Sequence, residues 1–588
     1  MDFNLYFSEE KIIKLLCKYR ANAANKRHEA HMLRNVSLHA VTNRIAINQN
    51  HTEFIFLQGI FPPRRKWLKL KQSERKHFKD ALSINQARLF KTYQLTKENI
   101  ANGLFEAPGW FENLLAFVHS IQAKSLAGAD EENLITQPRI KGIKKETKNG
   151  EIIYRPIALY SFSSKIICSL TSRYLIHFFD PLFLECSFAF RGRNSENHVP
   201  SHHDCIAAIR KYRKNNNHLW VAECDIQKFF DTVQHTHLLN VFGKWSNEAT
   251  AINGYPMDGR AILILKSFLG SFSFQQNITP LNGDVQYFID NGLPKGKFGW
   301  AEDDLKSTFG EHYVEQYRLG VPQGNAISCF VANLILHDVD KKVTAFDRSL
   351  FYIRYCDDMI IMHRDKGTCT AALDIYMEAI RANFLLFHVP IEVDAYRIKE
   401  NSKNFWKVKS KKPFFWGDKH VDDKNVPWLS FVGYQMNFNG HLRVRKSTIK
   451  KEVKKQVAET QKVLRVLGKF NHRLSVSTEH ARLSRKHIAF RLHQKLISMS
   501  VGRVKIHTHK HPGEQGLCWT NGFKMLEHNR ISSQQLRYLD KKRNMQLMRV
   551  KKEMSKIEQI TNKNLYPKHL QSIFYGSAFA YYNFLKHK

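Results

Sequence analysis

The chain reads as an α+β protein, and three patterns predict it. Residues 351–362 hold two strand-forming runs around the adjacent acids Asp357 and Asp358, the signature of a tight hairpin. Residues 219–227 form a second apolar run of strand length that leads into Asp225. From Ser447 onward Ile449, Val453, Val457, Leu464 and Leu467 recur at helical spacing among Lys and Arg, with Ser447 as the expected N-cap. Strands gathered in the middle and helices gathered at the ends predict a sheet with its helices segregated from it.

The elements follow in order. Residues 1–100 are helix-rich and basic, with a loop at Phe61-Pro62-Pro63-Arg64-Arg65-Lys66. Residues 101–220 contain a Lys-rich run from Lys141 to Gly150, where Asn149-Gly150 predicts a hairpin turn. Residues 221–445 carry the strand before Asp225 and the 351–362 hairpin, interrupted by an insertion at 242–317. So long a connection carries structure or function of its own. Leu319-Gly320-Val321-Pro322-Gln323-Gly324 is a Gly/Pro turn, and the apolar run after it, broken by Asn333, predicts a buried helix. Residues 446–588 complete the chain as basic helices.

Two neighbouring carboxylates repel, and burying both is costly unless a cation neutralises them. An all-oxygen site of this kind suits Mg²⁺. The alternative, a solvated Asp-Asp turn, loses ground because two further segments accompany it.

Those segments carry a family resemblance. Asp225-Ile226-x-x-Phe229-Phe230, Gly320-x-Pro322-Gln323-Gly324-x-x-x-Ser328 and Tyr355-x-Asp357-Asp358, in that order, resemble motifs A, B and C of reverse transcriptases. Tyr154-Arg155-Pro156-Ile157 resembles the fingers motif. Asp180-Pro181-Leu182-Phe183 with Phe190-Arg191-Gly192-Arg193 resembles the next fingers motif of group II intron and retron-type enzymes. Leu429-Ser430-Phe431-Val432-Gly433-Tyr434 resembles the primer grip. The resemblance covers roughly residues 141–450 and implies a right-hand polymerase: fingers at 101–220, an antiparallel palm sheet at 221–445 and a helical thumb from 446.

The resemblance also implies roles. Asp225, Asp357 and Asp358 would be the catalytic acids. With the Ile226 carbonyl they would hold two Mg²⁺ ions, which keep the attacking and leaving oxygens of a phosphoryl transfer in line. Arg155 would clamp the triphosphate, since a guanidinium binds phosphate bidentately. One of Lys144, Lys145 and Lys148 would reach the γ-phosphate, and spacing does not choose among them. Phe230 would exclude a ribose 2′-hydroxyl, with strand alternation turning it away from Phe229. Gln323 and Gly324 would line the nascent pair, and Phe431, Gly433 and Tyr434 the primer. Arg191 and Arg354 are expected to be structural or to touch template backbone. Lys399 and Lys403 are the candidates for a later general acid.

Charge supports a nucleic-acid partner. The net charge is +38, and after His441 there are 33 Lys+Arg against 8 Asp+Glu. Such a surface binds phosphate backbones through counterion release. The nine cysteines form no Cys-x-x-Cys pair, and His507, His509, His511 and Cys518 are a weak zinc pattern. Ala261-Ile262-Leu263-Ile264-Leu265 is too short to span a bilayer, and the first sixteen residues lack a signal-peptide core. The expectation is a cytoplasmic bacterial protein without a membrane partner. The aromatic cluster from Phe574 to Tyr582 reads as packing or subunit contact, with protein priming from a tyrosine as the alternative.

The helical N-terminal extension and basic helical tail most resemble the bacterial defence-associated, unknown-group reverse transcriptases. Members of that class protect against phage, often with a non-coding RNA and sometimes with a second polymerase subunit. The implied partners are template or non-coding RNA, the DNA product, dNTPs, and a second reverse transcriptase subunit or another copy of the chain. The alternatives are a mobile-element maturase and a catalytically silent RNA-binding scaffold.

Overall fold

The computed structural model describes residues 2–34, 51–78, 81–126, 134–192, 198–392, 404–422, 424–468 and 519–561, with isolated positions between 492 and 500 and at 579. Arg193, Lys399, Lys403, the 507–518 His/Cys pattern and all of the 574–582 cluster except Phe579 lie outside the described residues. The fold is α+β, and its chain divides into two compact units.

The first unit comprises residues 1–12, 118–432 and 437–440. Its first sheet begins with the ribbon of β1 (Arg139–Lys148) and β2 (Glu151–Leu159), antiparallel in register from Arg139↔Leu159 to Lys148↔Glu151. Asn149 (φ 49°) and Gly150 (φ 80°) make the turn, left-handed at both positions, as a type I′ hairpin requires. A third strand, β5 (Gly296–Phe298), adds in parallel to β2. It comes from the 242–317 insertion, which is otherwise mostly helical. Tyr154, Phe274, Ile278, Phe288 and Phe298 form the core behind the ribbon. A Cβ on Gly296 would stand 2.4 Å from the Ile152 carbonyl oxygen, so only glycine admits this pairing.

The second sheet has the order β6-β7-β3-β9, with every neighbouring pair antiparallel. Its strands are β3 (Trp220–Glu223), β6 (Phe351–Tyr355), β7 (Asp358–His363) and β9 (Lys411–Phe415). β4 (Ile226–Gln227) pairs separately with β8 (Leu386–Phe387). The helix Lys366–Ala382 buries Leu373, Tyr376 and Ile380 and packs on β3, β7 and β9. The predicted buried helix is Ala326–Phe346; Asn325 caps it by accepting the Ile327 N–H at 2.9 Å.

Two histidines in this unit are buried and held neutral. His235 shares a 2.7 Å hydrogen bond with the Gly320 carbonyl, and His337 sits edge-on to Trp245. Burial lowers each to a pKa of about 4. A lowered folded-state pKa gives stability that is full above the unfolded value near 6.5 and is lost as pH falls toward 4. Each imidazole should therefore cost the fold on the order of 3 kcal/mol across that window. Chemical denaturation at pH 7 and pH 4.5 should register the loss, and His337→Leu should shrink it; an unchanged pH dependence in that variant would refute the assignment.

The second unit comprises residues 13–117, 433–436 and 441–588 and is mostly helical. The N-terminal loop is anchored by Trp67, whose indole N–H donates to the Pro62 carbonyl at 2.9 Å, and by Arg88, which donates to the Leu68 and Trp67 carbonyls. Arg64, Arg65, Lys66, Lys69 and Lys71 are left exposed. The helix Lys446–Gly468 packs on Arg530–Thr561. It begins at Lys446, so Ser447 lies in its first turn and is not its N-cap. Its buried stripe also differs from expectation: Ile449, Glu452, Gln456, Thr460 and Val463 are buried, while Val453, Val457 and Leu464 are half-buried. The contact with the second helix rotates the buried face toward polar positions that hydropathy alone assigns to solvent. Among the described residues no helix is long and apolar enough to cross a membrane.

Candidate functional site

Strand register brings the acids to one end of the second sheet. β3 pairs β7 as Trp220↔His363, Val221↔Met362 and Ala222↔Ile361. The same offset continues to Cys224, whose N–H lies 3.3 Å from Met359 Sδ, and would set Asp225 opposite Asp358. Across β6–β7, Tyr355 pairs with Asp358, leaving Cys356 and Asp357 as a two-residue turn. Asp357 is thus in the turn and half-buried; Asp358 opens the returning strand and is exposed. Cys356 has φ 61°, an uncommon angle for a side chain with a Cβ.

Arg354 holds that turn. Its guanidinium is fully buried and every one of its N–H groups is used. Nε and Nη2 donate to the Asp340 carboxylate at 2.8 and 2.6 Å; the rest go to Asn333 Oδ1, Ser187 Oγ and the Cys356 carbonyl, the last at 3.0 Å. Burial alone would disfavour the charge, but the Asp340 carboxylate outweighs it and raises the guanidinium's affinity for its proton. Tyr352 donates to the same carboxylate at 2.8 Å. Arg191 is structural in the same way, donating to the Asp180 carboxylate and to the carbonyls of Asp180, Phe183, Leu184 and Ser187.

The three acids share a sheet end without being gathered into a ligand set. Among the described residues no group of three or more His, Cys, Asp or Glu side chains converges to hold an ion. Asp225 is compensated from within the chain by Lys409, whose Nζ lies 3.0 Å from its Oδ2 and 2.9 Å from His388 Nε2. Its backbone is fixed by the Ser410 hydroxyl, which accepts its N–H, and by the His388 N–H, which donates to its carbonyl, both at 2.9 Å. Because the Asp225–His388 pair is hydrogen-bonded, alternation turns the Ile226 carbonyl away from β8. The donors are hard oxygens and their chemistry fits Mg²⁺. Sequence reasoning misses Lys409, His388 and Ser410; they reach Asp225 only through tertiary packing.

Phe229 and Phe230 do not alternate as in a strand. They begin a single helical turn, Phe229–Thr232, after Lys228 at φ 52°. Phe229 is buried, Phe230 is half-buried, and their rings meet edge to face at 5.1 Å. The two rings diverge because of the left-handed residue and the turn, not because of a pleat. The Phe230 carbonyl accepts the Val321 N–H at 2.7 Å and the Val233 carbonyl the Gly320 N–H at 2.8 Å, tying this turn to the 319–324 loop. Gln323 is half-buried and donates to Asp231 at 2.7 Å; Gly324 is exposed, with φ 94°.

The β1–β2 ribbon separates its three lysines. The register slips between Lys144 and Glu146, so Lys145 is a bulged, unpaired residue. A bulge re-aims a side chain. Lys145 is the fingertip lysine whose charge is felt at Lys228, Asp231 and His388, and Arg155 is also felt at Asp231. Lys144, Lys145, Lys148 and Arg155 are all exposed, so the bulge and not burial distinguishes Lys145. At the expected primer grip, Phe431 and Tyr434 are buried, so these side chains pack inside the protein. Tyr434 meets Phe523 at 5.1 Å. The backbone between Phe431 and Tyr434 is left-handed at Val432 (φ 39°) and Gly433 (φ 89°), and the Gly433 carbonyl accepts the Arg445 N–H at 3.0 Å.

An antiparallel sheet with acids at one end, beside a basic ribbon, is the architecture of a nucleotidyltransferase. Residues 143–389 match the family model for reverse transcriptase (RNA-dependent DNA polymerase), so the chain carries a reverse transcriptase domain and is an RNA-directed DNA polymerase. No curated protein matches its sequence. Among solved structures, apo telomerase from Candida tropicalis is 11% identical, covering 91% of this chain and 81% of that one with a TM-score of 0.34. Telomerase from Candida albicans in complex with a fragment of telomeric RNA is 10% identical, covering 84% and 79% with a TM-score of 0.30. Likeness at this level carries no argument about substrate.

Proposed function

We propose that this polymerase extends a 3′-hydroxyl along an RNA template by metal-assisted phosphoryl transfer, with Asp225, Asp357 and Asp358 as its catalytic acids. What supports the reading is the β3–β7 register, from Trp220↔His363 to Ala222↔Ile361, whose continuation would set Asp225 opposite Asp358 beside the Asp357 turn. Those carboxylates and the Ile226 carbonyl are the groups that would hold two Mg²⁺ ions. When bound, the ions would activate the primer hydroxyl and neutralise charge developing on the transferred phosphate. The chain's own part is to orient: Arg354 fixes the acidic turn, Lys145 and Arg155 supply positive charge for a triphosphate, and Phe230 walls the sugar.

The test is primer extension by purified protein with dNTPs and Mg²⁺ on RNA and DNA templates, together with sequencing of the RNA it carries and the DNA it makes from cells. Template-dependent DNA synthesis on RNA is the expected result. Failure to incorporate any dNTP on RNA would overturn the reading and favour an RNA-binding scaffold.

Two further outcomes follow. Phe230→Ala should admit rNTPs and cut the preference for dNTPs at least about tenfold, the scale of a steric pocket contact; unchanged sugar selectivity would remove the gate. Lys145→Ala should raise KM for dNTP about tenfold, the loss of one charge-assisted phosphate contact, while Lys144→Ala and Lys148→Ala change it little. Equal effects at all three positions would refute the bulge's selection of Lys145.

A role in antiphage defence, with a non-coding RNA and a second polymerase subunit or another copy of the chain, is supported by the sequence resemblance described above. Phage plating on cells with and without the gene, and with the Asp357/Asp358 variant, tests it.

A further inference from the structure

Asp231 is a carboxylate that the mechanism above does not use. It is 5% exposed and lies on the Phe229–Thr232 turn between the acids and the 319–324 loop. Its own N–H donates to the Lys228 carbonyl at 2.8 Å, and its carbonyl accepts the Trp300 indole N–H at 3.1 Å, so its backbone is fixed on both sides. Its Oδ1 accepts one hydrogen bond, from Gln323 Nε2 at 2.7 Å. The two residues before Gln323 are held as well: Val321 donates its N–H to the Phe230 carbonyl, and the Ser328 hydroxyl donates to the Pro322 carbonyl at 2.6 Å.

A carboxylate accepts hydrogen bonds, whereas an amide has a donor end and an acceptor end that differ little in shape. Facing a carboxylate, the Gln323 amide has one favourable orientation, with its NH₂ toward Asp231. Facing a neutral amide or an apolar group, it would have two. Burial is the largest influence on the Asp231 carboxyl and raises it above the ordinary carboxylate range, while Lys228, the Gln323 hydrogen bond, Lys145 and Arg155 all pull it back down. The Lys228 ammonium is itself tied to the Gly299 carbonyl.

We propose that Asp231 is a positioning residue for the incoming nucleotide: by taking Gln323 Nε2 it leaves Gln323 Oε1, an acceptor, as the amide end available to a sugar hydroxyl. This rests on the polymerase reading above and goes beyond it by naming what sets the polarity of the sugar contact. A nucleotide with a 3′-hydroxyl can donate to Oε1; a 2′,3′-dideoxynucleotide cannot. Discrimination between the two therefore depends on a residue that touches neither.

The experiment compares dTTP with 2′,3′-dideoxy-TTP in wild type, Asp231→Asn, Gln323→Glu and the double variant D231N/Q323E. Asp231→Asn keeps the shape but lets the amide turn over. It should raise KM for dTTP about tenfold, leave kcat within about threefold, and shift dideoxy discrimination toward unity, as expected for one hydrogen bond to a charged group. Gln323→Glu sets two carboxylates against each other and should be worse. In the double variant the amide introduced at position 231 donates to the carboxylate introduced at position 323. An acceptor again faces the sugar, so discrimination should recover relative to Gln323→Glu. A purely structural Asp231 would lower the melting temperature of Asp231→Asn and leave discrimination unchanged, and the double variant would show no recovery; either result overturns the proposal. Loss of the polymerase reading would look different, since wild type itself would then incorporate neither nucleotide.

Discussion

Replacing Asp357 and Asp358 together by alanine should abolish nucleotide incorporation while the protein stays folded. The two carboxylates carry little of the fold. Asp358 is exposed, Asp357 is half-buried in a turn, and that turn is held from beneath by Arg354 through the Cys356 carbonyl. Removing the acids also removes a like-charge pair, which relieves repulsion. On the proposed mechanism the chemistry would lose its metal-holding groups and with them several kcal/mol of transition-state stabilisation, a rate loss of at least about a thousandfold. Primer extension reads the loss and thermal melting reads the fold. Extension at the wild-type rate in the double variant would end the metal assignment.

Arg354→Met should unfold the polymerase domain or leave it marginal. The substitution strips a fully buried carboxylate, Asp340, of its counter-charge and also leaves the Cys356 carbonyl and Ser187 without their donor. Breaking a buried pair from one side costs about 3–5 kcal/mol, a large share of a domain's net stability. Arg354→Lys should recover only part of it, because an ammonium has three donors where this site uses five. Denaturant midpoints for the two variants check the order. A Met variant within about 1 kcal/mol of wild type would contradict the argument.

The elements that were legible in the sequence are those whose cause is local. Asn149-Gly150 can turn a hairpin wherever it sits, and the apolar run broken by Asn333 marks a buried helix from its own residues. The strand-forming runs on either side of Asp357-Asp358 need only their own residues. The illegible parts depend on partners far along the chain. Lys409 meets Asp225 because β9 lies beside β3, and no spacing encodes that. The choice of Lys145 depends on a one-residue slip in strand register, which composition cannot show. Glu452, Gln456 and Thr460 are buried because a second helix covers them, against what their polarity suggests. Phe230 departs from Phe229 by a left-handed residue at Lys228, where a sequence reader assumes an extended chain. Asp231 stood in plain view, an acid inside an apolar run, but its partner Gln323 becomes evident only in three dimensions.

The parallel strand Gly296–Phe298 bears on how the protein is made. An isolated two-stranded ribbon is marginal in water, and its stabilising third strand is encoded well over a hundred residues later. During synthesis at roughly 5–20 residues per second, the nascent ribbon would wait on the order of ten seconds before its neighbour emerges. Throughout that interval the Glu151–Leu159 edge is open to other chains, and a fragment ended before residue 296 would keep it open permanently.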